Sequence, residues 1–107
     1  MQRKNVHHKF GAIRCTKNGH KFASKLEANY YTQLLLRQKA GEVLFFLMQT
    51  PFHLPGDVQY RVDFVVFLAN GEVEFIDCKG MDTPVSNIKI KMVQDLYPLE
   101  IKIVRRV

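Results

Sequence analysis

A chain of 107 residues, 47% of them apolar, has material for one small core and not for two. Its longest apolar run, Val43–Met48, is only strand-length, which excludes a membrane-spanning helix. The two cysteines, Cys15 and Cys78, lack the spacing of a thiolate metal site. They read as reduced thiols of a cytoplasmic protein, with a disulfide between them as the open alternative.

The net charge of +6 is unevenly placed. Seven basic residues precede Glu27 (Arg3, Lys4, Lys9, Arg14, Lys17, Lys21 and Lys25), with no acidic residue among them. From Glu27 onward nine basic residues meet ten acidic ones. A basic first quarter of this kind suits contact with a phosphate backbone. The competing reading is a solvated tail that only aids solubility. Met1–Phe10 is polar and basic, without the apolar stretch of a signal peptide.

Residues 1–23 read as an irregular or weakly stranded basic arm, interrupted at Gly19, with Phe10, Ile13 and Phe22 as packing points. Residues 24–107 read as a single domain. Ser24-Lys25-Leu26-Glu27 has the capping-box pattern, so a helix is expected from Lys25 to about Lys39. Leu26, Tyr30, Leu34 and, less regularly, Tyr31 and Leu35 form its broad apolar stripe, and Gly41 ends it. Val43–Thr50 reads as a strand stopped by Pro51. Val58, Tyr60, Val62, Phe64, Val66 and Leu68 alternate with the two-residue strand period. Asn70-Gly71 marks a hairpin into a returning strand, Glu72–Lys79. Thr83-Pro84 opens a second helix over Pro84–Leu96, with Val85, Ile88, Met92 and Leu96 expected to face inward. Leu99, Ile101 and Ile103 form a last strand. The order helix, three strands, helix, strand predicts an α/β fold with a mixed sheet flanked by helices.

Asp63, Asp77 and Lys79 carry the chemistry. Two carboxylates can hold a hard divalent cation through oxygen, and a lysine adds positive charge near a phosphodiester. Asp77 and Lys79 are two apart on a strand and share a face. Asp63 joins them only in one hairpin register. A two-residue loop pairs Phe64 with Asp77 and turns Asp63 away. A three-residue loop, Ala69-Asn70-Gly71, or a bulge sets Asp63 opposite Asp77. The competing reading makes both aspartates solvent-facing and Lys79 a surface ion-pair partner. It is weakened by their apolar neighbours, since aspartate is disfavoured inside such strands.

Glu27 is explained by the helix cap, yet it could also reach a metal. Gln49 could line the same pocket or merely bond at a strand end. Glu74 reads as surface. His7, His8, His20 and His53 form no zinc-type cluster. Arg61, Lys89, Lys91, Lys102, Arg105 and Arg106 could extend a nucleic-acid surface, or be solvated charges.

Val62-Asp63-Phe64 followed by Asp77-Cys78-Lys79-Gly80 resembles the PD-(D/E)xK nuclease signature. Together with Phe22–Ala28, Ala40–Val43, Gln49–Phe52 and Thr83-Pro84, the pattern is similar to a small phage-encoded family of that type, related to phage endonuclease I, a Holliday-junction resolvase. The resemblance spans nearly the whole chain. It departs at two points: Val62 stands where proline is usual, and Asp77 where glutamate is common. Neither removes a needed oxygen.

The resemblance implies a restriction-endonuclease-like αβββαβ core and Mg²⁺- or Mn²⁺-dependent hydrolysis of DNA. Asp63 and Asp77 would be metal ligands, Lys79 the catalytic lysine and Glu27 a helix-borne acid joining the ligand set. The basic arm (Arg3, Lys4, Lys9, Arg14, Lys17, Lys21, Lys25) and Gln49 would meet the nucleic acid. Two cuts in a duplex or junction imply a homodimer. A phage or prophage protein acting in the cytoplasm of a bacterial host is expected, with no membrane partner. The alternatives are a catalytically inactive nucleic-acid-binding module of the same fold, a transposase-type end-cutting subunit, an RNA-processing nuclease, and a structural phage protein.

Overall fold

The structure, a computed structural model, describes residues 15–107, with the Cys15 side chain left out. Arg3, Lys4, Lys9 and Arg14 of the basic arm, the histidines His7 and His8, and the packing points Phe10 and Ile13 lie outside the described residues.

Two short strands, β1 (Cys15–Lys17) and β2 (His20–Phe22), precede the first helix and pair antiparallel. Asn18 and Gly19 join them, both left-handed at φ 50° and 79°. That is the two-residue Asn-Gly hairpin turn, so this stretch is more regular than its sequence suggests. Phe22 is buried as expected, in a core with Tyr30, Tyr31 and Leu34.

Helix α1 spans Lys25–Lys39, with the Ser24 hydroxyl accepting a hydrogen bond from the Glu27 amide. Strand β3 runs from Val43 to Leu54, and Pro51 does not stop it. The sheet order is β3-β4-β5-β6, so β3 is an edge strand, where proline is tolerated. Strands β4 (Val58–Leu68) and β5 (Val73–Cys78) follow antiparallel. Helix α2 spans Pro84–Leu96, and β6 (Ile101–Val104) lies parallel to β5. The described residues thus form an α/β protein with a mixed four-stranded sheet and two helices. None of the helices is long and apolar enough to cross a membrane.

The β4–β5 loop has three residues. Leu68 N donates to Glu72 O at 2.9 Å, and Gly71 is left-handed at φ 93°. The register Phe64–Ile76 and Val65–Phe75 therefore carries Asp63 opposite Asp77.

The sheet has two differently covered regions. Phe64, Val66 and Ile76 pack with α1, whereas Tyr60, Val62 and Ile101 pack with Val93 of α2. Residues of equal parity on β4 thus change partner between Val62 and Phe64, at Asp63. Facing that point on β3 is Gln49, a non-glycine residue at φ 53°. Such a conformation costs on the order of 1 kcal/mol.

The second helix is rotated from the expected orientation. Val85, Ile88 and Leu96 are exposed, Met92 is half-buried, and Val93 is fully buried instead. Two hydrogen-bonded anchors accompany this rotation. The Lys79 ammonium bonds the Ser86 hydroxyl, and Ile101 N donates to Gln94 Oε1 at 2.8 Å. Glu74, expected at the surface, is half-buried between Arg37 at 3.9 Å and Lys102 at 3.6 Å.

A candidate carboxylate–lysine site

The N-terminal ends of both helices and the sheet around Asp63 and Asp77 line an open cleft of about 930 Å³. Its lining includes Glu27 from α1, Asp63 from β4, Asp77 from β5, Lys79 just beyond β5, and Ser86 and Lys89 from α2.

Strands β4 and β5 diverge at the cleft, and two carboxylates replace the ladder bonds lost there. Asp63 N donates to Asp77 Oδ1 at 3.0 Å, and Cys78 N donates to Asp63 Oδ2 at 2.8 Å. Buried backbone donors need partners, so each aspartate secures the other strand. Asp77 is only 2% exposed, and its second oxygen, Oδ2, is buried without a hydrogen-bond partner among the described residues. Burial raises its pKa above the usual carboxylate range, against the Asp63 amide and the Lys79 charge, which pull it down. Asp63 is raised for the same first reason, and the Cys78 amide, Gln49 and Lys79 oppose it.

Glu27 is buried at the start of α1, where the cap fixes its backbone. The Gln49 amide nitrogen joins it to the strand pair, donating to Glu27 Oε2 at 2.9 Å and to Asp63 Oδ1 at 3.1 Å. Burial, then the Asp63 charge, pushes the Glu27 carboxyl up to about 7. Gln49, left-handed at φ 53°, therefore bridges two acids of the site without itself being part of the cleft lining.

Lys79 extends the ladder, its N–H donating to Val104 O at 2.9 Å. Its ammonium bonds the Ser86 hydroxyl and lies 5.9 Å from the centre of the Tyr60 ring. Ser86 in turn receives the α2 cap, its amide donating to Thr83 Oγ1 at 3.2 Å. Ser86 and Tyr60 were not legible as site residues. The one sequence signal was Ser86's place three residues after the Thr83 cap.

Of the remaining cationic candidates, Lys21 and Lys25 are exposed, and Lys17 is half-buried, donating to Thr32 Oγ1 at 3.1 Å. Lys89 lines the cleft. Cys78 is a free, half-buried thiol whose pKa burial raises further.

Among the described residues, no three His, Cys, Asp or Glu side chains are gathered as a metal ion would need. What the cleft does present is one unpartnered buried carboxylate oxygen on Asp77, with Asp63 cross-strand and Glu27 one amide away. That donor set is all oxygen, the chemistry of a hard cation. Asp77, Asp63 and Glu27 are the oxygen donors of the site, though not gathered as a three-ligand set.

Fold and site together define an α/β protein with a cleft where its two helices begin, lined by carboxylates and by Lys79 and Lys89. The chain belongs to the family DUF1064, described as a protein of unknown function, whose family model matches residues 7–106. No curated protein and no solved structure matches it.

Proposed function

We propose that the protein is a metal-dependent DNA endonuclease of the PD-(D/E)xK type. The observation that carries this reading is the buried, unpartnered Asp77 Oδ2, placed beside Asp63 and Lys79 in one open cleft. An uncompensated buried carboxylate is costly, and a cation would remove that cost. The run of elements from Lys25 to Val104, helix, three strands, helix, strand, supports the restriction-endonuclease-like core.

Asp77 and Asp63 would hold Mg²⁺ or Mn²⁺, with Glu27 completing the set. When bound, such an ion acidifies a water and stabilises charge growing on phosphate. Lys79 supplies a fixed positive charge at the cleft, aimed by Ser86 and Tyr60. Gln49 links Glu27 and Asp63 through its side-chain amide. Glu27, with its carboxyl near 7, can hold a proton at neutral pH. The basic first quarter, including exposed Lys21 and Lys25, would follow the DNA backbone. Two cuts in a duplex or junction require two such clefts, hence a homodimer.

The absence of a gathered three-ligand group among the described residues favours a second reading, an inactive DNA-binding module. One assay separates the two. A four-way junction and a matched linear duplex are incubated with the protein, with and without Mg²⁺. Mg²⁺-dependent cutting that is lost in Asp77→Ala and Lys79→Ala, with DNA binding retained, supports the endonuclease. Binding without cutting supports the module. Undiminished cutting by Asp77→Ala overturns the site assignment.

A further inference from the structure

Helix α2 turns one face to the cleft. Val85, Ser86 and Lys89 line it, at the four-residue and three-residue spacing of a single helix face. Two lysines therefore share this wall, and they differ in what holds them. The Lys79 ammonium bonds the Ser86 hydroxyl, and its charge pulls the Asp63 and Asp77 carboxyls down. Lys89 is half-buried, so the protein covers part of its stem, yet it forms no ion pair among the described residues. A lysine that only solvates the surface extends from an open position, and one that only supports the fold is paired. Lys89 does neither. It presents its charge to whatever enters the cleft. Arg61 also lines the cleft, but it is exposed and stands on β4, away from this wall.

Lys89 lies one helical turn beyond Ser86, about 4.5 Å along the axis. The phosphates of one DNA strand rise about 3.4 Å each along the duplex. The two lysines thus step along the α2 wall on the scale at which a strand repeats its charge.

We propose that Lys89 is a phosphate-binding residue, holding the phosphate next in line to the one that meets Asp77 and Lys79. The inference rests on the endonuclease reading and deepens it. The cleft then recognises a strand with a phosphate beside the bond to be cut, rather than an isolated phosphodiester.

The test uses the full chain with Lys89→Gln, which removes the charge, and Lys89→Arg, which keeps it. Circular dichroism confirms that both are folded. Fluorescence anisotropy on a labelled duplex in EDTA, across a salt series, reads the contact without any cutting. The plot of log affinity against log salt becomes shallower by about 1 in Lys89→Gln and keeps its slope in Lys89→Arg. The position of the contact is read from Mg²⁺-dependent cutting of duplexes that carry one neutral methylphosphonate linkage, with cuts at distant bonds as the reference. In the wild type the neutral linkage suppresses cutting at itself and at one adjacent bond. In Lys89→Gln the suppression at the adjacent bond disappears, and KM rises several-fold with kcat kept. An unchanged salt slope in Lys89→Gln overturns the proposal, as does adjacent suppression that persists in that variant. So does a wild type with no suppression beyond the neutral linkage itself, a reading that needs no variant. A slope that depends on Lys89 in a chain that cuts no DNA overturns the endonuclease reading and leaves the phosphate contact standing. Cutting with a slope indifferent to Lys89 does the reverse.

Discussion

Asp77 concentrates the tension of the molecule in one side chain. One oxygen satisfies the Asp63 amide, and the other is buried with nothing to bond. Asp77→Asn keeps an acceptor for that amide and removes the buried charge. Urea unfolding without metal should then show stability unchanged or raised. Cutting should fall on the order of 100-fold or more. Mg²⁺ should raise the melting temperature of the wild type, by about 2.7 kcal/mol of binding linkage at 100 times Kd, and should not raise that of Asp77→Asn. Glu27 makes the second residue-scale prediction. Its carboxyl moves from 4.5 to about 7 on folding, so the native chain keeps a proton that the unfolded chain has lost between those values. Stability is therefore fully present below 4.5, falls as pH rises to about 7, and levels above. The fall is on the order of 3 kcal/mol at most. Urea midpoints at pH 5 and pH 8, in EDTA, should converge in Glu27→Gln relative to the wild type.

At the scale of elements, the site depends on the β4–β5 hairpin. A two-residue loop would move every side chain of one strand to the opposite face, and Asp63 would leave the cleft. The three-residue loop requires a left-handed residue, which Gly71 supplies at φ 93° without steric cost. The Asn70 side chain supports it, accepting from Glu72 N at 2.9 Å. Gly71→Ala should cost about 1 kcal/mol, measured by urea unfolding, with the cleft geometry otherwise kept. Across from Asp63 on β3, Gln49 holds a left-handed backbone at φ 53°.

At the scale of the whole molecule, charge is segregated. The excess lies before Glu27, and the cleft opens beside the start of α1 where Lys25 is exposed. Replacing Arg3, Lys4, Lys9 and Arg14 together by Gln should weaken DNA binding at low salt. It should also make the plot of log affinity against log salt shallower by up to about 3–4, if each residue meets a phosphate. Fluorescence anisotropy across a salt series reads both, while Mg²⁺-dependent stabilisation should persist, because the cleft is unchanged.

The local signals in the chain were enough to mark several elements. The capping box at Ser24, the alternation from Val58 to Leu68 and the Thr83-Pro84 start each act within a few residues, and each element begins where its signal lies. Three matters were settled only in three dimensions. Pro51 lies within a strand because β3 is at the sheet edge, and edge position is a property of strand order. Helix α2 turns Val93 inward rather than Ile88, because a helix with two apolar stripes is oriented by its neighbours, here through Lys79–Ser86 and Ile101–Gln94. The partners of the aspartates, down to the unbonded oxygen of Asp77, follow from where β4 and β5 part. Short-range chemistry is written in neighbouring residues. Rotation, edge and divergence arise from contacts between segments far apart in the chain, and the sequence alone left them open.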